Sequence, residues 1–205
     1  MTEIWVSALR NPPPTSGRHR RIGILGGSFN PAHTGHLHIS RQALDRLRLD
    51  EVWWLVSPQN PLKHTDGMAP LEDRLNSARA LTHGSNIRVS DLEREIGTQY
   101  TADTLKVLKG RFPWCRFVWI MGADNLIEIN RWKNWTAVFE TVPVAVLARP
   151  AYSFKALVST AAKRFQRYRI KETRAIALAE SKPPAWVFLH IPLSSASATR
   201  IRGGR

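Results

Sequence analysis

Short, nearly unbroken apolar runs recur along the chain, interleaved with stretches of helical periodicity. RIGIL (21–25) runs into Gly26-Gly27, EVWWLVS (51–57) stops at Pro58, and IRVS spans 87–90. RFVWIM (116–121) closes at Gly122, VPVAVLA (142–148) ends before Arg149-Pro150, and AWVFLH (185–190) comes last. A strand with one wet face alternates apolar and polar residues. These runs show little alternation, so the sheet they form is expected to be covered on both faces. Between them, 36–48 places Leu37, Leu44 and Leu47 with Ile39 and Ala43 on one helical face. Pro70 opens a second helix running to about His83, Ala102 to about Lys109 forms a third with Leu105 and Leu108, and Ser153 to about Phe165 a fourth. Strands alternating with helices predict βαβ units: one α/β domain with a doubly wound parallel sheet over 21–205. The preceding residues 1–20 hold Pro12, Pro13 and Pro14 followed by basic residues, and read as a mobile tail.

Composition narrows the partners. The chain has 205 residues, 30 Lys and Arg against 16 Asp and Glu, and a formal net charge of +14. That excess favours a polyanion: a nucleotide, a nucleic acid or an anionic membrane. No segment reaches the roughly 18–20 apolar residues of a membrane helix. The N-terminus lacks a basic region followed by a sustained apolar one, so a cytoplasmic, reducing location is expected. The single cysteine, Cys115, excludes an internal disulfide framework and any zinc site of several thiolates, and nothing marks it as reactive.

In doubly wound sheets, ligands bind outside the carboxyl ends of the strands. The segment after the first run, GGSFNPAHTGH (26–36), is the most informative in the chain. Gly26 and Gly27 permit a sharp turn and a close backbone approach to an anion. His33 and His36 stand at the start of the following helix, where unpaired N–H groups and a partial positive charge favour phosphate. Their i, i+3 spacing puts both imidazoles on one side. The alternatives are a structural pair or zinc, but zinc needs three or four ligands and no third one lies at convincing spacing.

Strand, then G-G-x-F-N-P-x-H-x-G-H, then helix resembles the H-x-G-H nucleotidyltransferase superfamily, and within it the bacterial nicotinate-nucleotide adenylyltransferases. Further segments extend the resemblance: SPQNPLK (57–63), LEDRLNSARA (71–80), YTADTL (100–105), GADNL (122–126), RWKNW (131–135), ARP (148–150) and SATRIR (197–202). It implies a Rossmann-like fold and transfer of AMP from ATP to nicotinate mononucleotide, giving deamido-NAD and pyrophosphate, with Mg²⁺ carried on the phosphates. The implied ATP site comprises Gly26, Gly27, Ser28, Phe29, His33, His36, Lys63, Gly122, Asp124, Ser197, Thr199 and Arg202. The implied acceptor site comprises Asn30, Lys63, Thr101, Asp103, Trp132 and Arg149. His33, His36, Lys63 and Arg202 are the implied catalytic residues. Trp132 is implied to stack on the pyridine ring, and the Thr101 backbone to donate to its carboxylate. The resemblance departs at both ends: the proline-rich tail lies outside the family core, and only three residues follow Arg202, where many members continue with a helix.

The chemistry suits these residue types. The attacking 5′-phosphate is already mostly ionised at neutral pH, its second pKa being about 6. Positioning and fixed positive charge therefore carry catalysis. Several residues keep two readings. Asp124 accepts from ribose hydroxyls or caps the next helix. Asp103 bonds within the site or caps its own helix. Arg149 meets an anion or ends a strand in solvent. Trp53, Trp54 and Trp135 read as packing, and Lys163–Arg174 as a solvated face. Rival functions are a same-fold transferase acting on nicotinamide mononucleotide or phosphopantetheine, and an RNA-binding module. The chain lacks the alternating aromatic and basic strands of the latter, so the expected partners are the two nucleotides, without nucleic acid or membrane.

Overall fold

The computed structural model describes residues 19–58, 67–149 and 151–192. Six parallel strands are present: β1 (Arg20–Gly27), β2 (Glu51–Val56), β3 (Ile87–Ser90), β4 (Cys115–Gly122), β5 (Val144–Leu147) and β6 (Trp186–Leu189). Their order is β3-β2-β1-β4-β5-β6, so the connections reverse direction between β1 and β4. That reversal leaves a crevice at the carboxyl ends of β1 and β4, where the loops diverge. Of the predicted tail, residues 1–18 lie outside the described residues. Arg20 opens β1 and pairs with Glu51.

The helices are α1 (Thr34–Leu47), α2 (Leu71–Thr82), α3 (Leu92–Glu95), α4 (Thr101–Arg111), α5 (Ala123–Glu128), α6 (Trp135–Thr141), α7 (Ser153–Leu157) and α8 (Thr160–Arg164). Helix α1 buries Ile39, Ala43 and Leu47, one turn apart in succession, while Leu37 and Leu44 sit at the rim. It ends where Arg48 takes a left-handed conformation at φ 52°. Pro70 stands at the N-cap of α2, not inside its first turn. The fourth predicted helix is split. Ser159 caps α8 by accepting the N–H of Ala162 (3.3 Å), which restarts the chain after α7.

β5 and β6 are buried at every position, and β2 at every position but Glu51, as their apolar sequences require. Trp53, Trp54 and Trp186 are at most 1% exposed. Each such ring removes on the order of 200 Å² from water, about 5 kcal/mol of transfer free energy as an upper figure. β5 is shorter than its apolar run because Pro143 has no N–H for the ladder, although its carbonyl still accepts from Trp119 (2.9 Å). Cys115 is buried. In the basic stretch, Arg167 lies 4.7 Å over Tyr168 and Arg169 5.4 Å over Trp186, while Glu172 holds Arg46 and His190. Among the described residues, no helix is long and apolar enough to cross a membrane.

Candidate active site

The loop leaving β1 differs from its sequence reading at one point. Gly26 and Gly27 do not turn: both remain in β1, with Gly27 opposite Val56. Gly26 is needed for space, since a Cβ there would stand 2.5 Å from the Trp119 ring. The chain turns at Phe29, which has φ 47° and is 1% exposed. A left-handed non-glycine residue costs roughly 1–2 kcal/mol. Packing holds it there: the Phe29 ring stacks on Trp54 at 4.8 Å and meets His36 at 4.8 Å. Trp54, read as core, is thus also the floor beneath a site histidine.

His33 is the N-cap of α1, with extended backbone, and its Nδ1 accepts the N–H of Gly35 (3.1 Å). The N–H of His33 in turn donates to Nδ1 of His36 (3.3 Å). An imidazole that accepts at Nδ1 carries its proton at Nε2 when neutral. Both rings are therefore set as Nε2–H donors, and they stack with centroids 3.8 Å apart. Burial, reinforced by the positive charge of Arg149, pushes the His33 pKa down to about 4. His33 is thus neutral at physiological pH, and donates without needing a charge.

Across the crevice, Gly122 ends β4 and is the N-cap of α5. Asp124 lies inside the first turn of α5, so the reading that made it the cap is corrected: the chain enters the helix two residues earlier. Its Oδ2 accepts from Arg149 Nη1 at 3.2 Å. Its Oδ1 is buried and has no donor among the described residues. A buried carboxylate oxygen without a donor is costly and suits a ligand hydroxyl. Gly122 makes room for the pair, since a Cβ there would lie 2.4 Å from Oδ1 and 2.7 Å from Arg149 Nε. Arg149 is half-buried and ion-paired, not a strand end left in solvent.

A third group of residues gathers at the start of α4. Thr101 holds its first position, where the N–H has no partner within the helix. Tyr100 is the N-cap and Asp103 sits inside the first turn, so Asp103 does not cap α4. Lys133 Nζ lies 4.3 Å over the Tyr100 ring, which brings the tryptophan segment beside this helix end. Trp132 is half-buried, edge-on to Trp119 at 6.4 Å. Trp135 packs against Phe139 and Phe165, as a core residue does.

Asn30 spends its amide on backbone: Nδ2 donates to Gly67 O (3.1 Å) and Oδ1 accepts from Ala69 N (3.2 Å). Lys63, Ser197, Thr199 and Arg202 lie outside the described residues. Three buried charged residues, Arg74, Asp91 and Glu93, escaped the sequence reading. Arg74 stands three residues from Leu71 and four from Ala78, on the buried stripe of α2, and that position was the available signal. Glu93 is 7% exposed in α3, and its carboxylate accepts from Thr104 Oγ1 (3.3 Å). Burial pushes its pKa up to about 7 against the hydroxyls of Ser57 and Thr104, which favour the ionised form. It walls a cavity of about 290 Å³ shared with Ser57, Pro58, Gly97 and Thr98.

Paired imidazole donors at a helix N-terminus and an acid–arginine pair thus stand together at the crevice of a parallel sheet, an arrangement with groups suited to a nucleotide. Residues 24–204 match the cytidylyltransferase-like family model, and the chain belongs to that family, among its nicotinate-nucleotide adenylyltransferases. A relative from a Caulobacter species, named as a probable nicotinate-nucleotide adenylyltransferase, is 50% identical over 183 residues, covering 89% of this chain and 97% of its own. Relatives of the same name from Parvibaculum lavamentivorans and Methylorubrum extorquens are each 52% identical over 182 residues, covering 89% of this chain and 90% and 98% of their own. Among solved structures, the nicotinic acid mononucleotide adenylyltransferase of Plasmodium falciparum complexed with NaAD superposes with a TM-score of 0.67. The superposition covers 90% of this chain and 83% of that one at 20% identity, a likeness of fold.

Proposed function

We propose that this chain transfers the adenylyl group of ATP to nicotinate mononucleotide, giving deamido-NAD and pyrophosphate. The observation that carries the reading is the pair of stacked, Nε2-protonated imidazoles at the amino end of α1. An oxygen of the mononucleotide 5′-phosphate bonds to the α-phosphorus of ATP, the α–β bridging bond breaks, and pyrophosphate leaves with its electron pair. No proton need be abstracted, because the attacking phosphate is already ionised. His33 and His36 donate to the α-phosphate oxygens as charge shifts toward the leaving group. Lys63 and Arg202 hold the β- and γ-phosphates, with hydroxyl donors from Ser197 and Thr199. Gly26, Gly27, Ser28 and Phe29 line the ATP side.

Asp124 takes the adenosine ribose through its orphaned Oδ1. Arg149 fixes that carboxylate and adds positive charge near the acceptor. The Thr101 N–H receives the nicotinate carboxylate, and Trp132 stacks on the pyridinium ring. Asn30 and Asp103 shape the acceptor side. A divalent cation, Mg²⁺ in this reading, would offset part of the triphosphate charge when bound. Among the described residues, no three His, Cys, Asp or Glu side chains gather to hold an ion. This reading places the reaction in the cytoplasm.

Pyrophosphate release measured with nicotinate and with nicotinamide mononucleotide tests the assignment. Turnover with the acid form well above the amide is expected, and a preference for the amide overturns it.

A further inference from the structure

Arg74 is 2% exposed, and its guanidinium reaches three separate pieces of backbone. Nη1 donates to the carbonyls of Ser28 (2.7 Å) and Ser57 (2.8 Å). Nη2 donates to Pro58 O (3.0 Å), and Nε to Ala69 O (3.0 Å). Ser28 lies at the exit of β1, Ser57 and Pro58 at the exit of β2, and Ala69 at the entry to α2. The partners are neutral, and the ion pairs among the described residues do not include Arg74. A charge taken out of water without a counter-ion is costly and survives where the surroundings compensate for it. Four carbonyl dipoles do part of this, and nucleotide phosphates arriving at the same loops would do more.

We propose that Arg74 is a positioning residue for adenylyl transfer: it fixes the exits of β1 and β2 against each other and sets a buried positive charge beside the loops that receive the triphosphate. The inference rests on the function proposed above. Asn30 acts on the same hinge point from the other side, since it accepts the N–H of Ala69 while Arg74 takes its carbonyl. Lysine cannot replace Arg74. One ammonium on a flexible stem lacks the planar fork that spans these carbonyls.

The test uses the full chain with Arg74→Lys, Arg74→Met and Asn30→Ala, each with thermal unfolding and steady-state kinetics for both substrates. Arg74→Lys is expected to fold, to raise KM for ATP about tenfold and to lower kcat at least about tenfold, as loss of positioning does. Arg74→Lys combined with Asn30→Ala is expected to lose less than the product of the single losses, because both act on Ala69. Arg74→Lys with kcat and both KM values within twofold of the native chain overturns the proposal. So does a fall in kcat that matches the unfolded fraction while both KM values stay put, which is a purely structural role. If Arg74→Met does not fold, Arg74→Lys decides alone. If the native chain makes no deamido-NAD, the functional reading fails by itself, and calorimetry with ATP then judges Arg74: weaker binding in Arg74→Lys supports it, equal binding overturns it.

Discussion

His33 and His36 are locked to each other: the backbone N–H of one donates to Nδ1 of the other at 3.3 Å, and their rings stack at 3.8 Å. The consequence is chemical. Neither ring is free to choose its tautomer, so the site keeps two prepared N–H donors where charge develops. His36→Ala is expected to lower kcat by about 10²- to 10³-fold, the range for removing one transition-state donor. ATP affinity should change only modestly, and near-normal turnover would remove His36 from its role. For His33, whose pKa is about 4 in the fold against 6.5 unfolded, the stability contribution is complete above pH 6.5 and is lost as pH falls toward 4. Measured relative to His33→Asn, the unfolding free energy of the native chain should fall as pH is lowered across that window.

Thr101 offers a backbone donor that substitution can delete without a side-chain argument. Proline is tolerated at the first position of a helix, and Tyr100 already has the extended conformation that precedes proline (φ −114°, ψ 133°). Thr101→Pro should fold with an unchanged melting temperature. Its KM for nicotinate mononucleotide should rise by about tenfold or more, the cost of one hydrogen bond to a charged group, with KM for ATP unchanged. Equal KM values for the acid in both proteins would place its carboxylate elsewhere.

Gly122 leaves the space that Asp124 and Arg149 occupy. Gly122→Ala would drive a methyl group to 2.4 Å from Asp124 Oδ1, so the carboxylate must move. A loss of about 1–3 kcal/mol in stability is expected from the overpacking. Because Oδ1 is assigned to the ribose, KM for ATP should rise further than for an equally destabilising substitution remote from the crevice. Comparing the two variants at matched stability checks this.

Glu93 gives a pH dependence of the opposite sign to His33. Its folded pKa of about 7 lies above the usual 4.5, so the native state holds its proton where the unfolded chain has lost it. Its contribution to stability is therefore full below pH 4.5, declines between 4.5 and 7, and levels off above. The decline is roughly 3 kcal/mol for a group this buried. Measured relative to Glu93→Gln, which keeps the shape without the charge, the native chain should lose stability as pH rises through that range in urea titrations at successive pH values. An unchanged profile would show that the carboxyl is not the titrating group.

The sheet was legible in the sequence because strands covered on both faces are apolar at most positions. IRVS over 87–90 coincides with β3, and each remaining run falls within two residues of its strand. The histidine turn was legible because local spacing alone puts His33 and His36 on one side of a helix start. Contacts between distant segments were not legible. Nothing local marks Phe29, rather than a glycine, as the turning residue. Its left-handed backbone is held by Trp54, a residue of the neighbouring strand. The short helices α3 and α6 likewise depend on packing, since each is too short for periodicity to register.

By itself, the sequence determined a parallel α/β sheet, the strand ends where chemistry sits and the histidine pair, because period and spacing are properties of neighbours along the chain. Only the tertiary structure decided that Asp124 faces Arg149, that Gly26 yields to Trp119, and that Arg74 gathers three loops. Those relations join residues far apart in sequence. Their energies come from burial and from hydrogen bonds that exist only once the sheet has assembled.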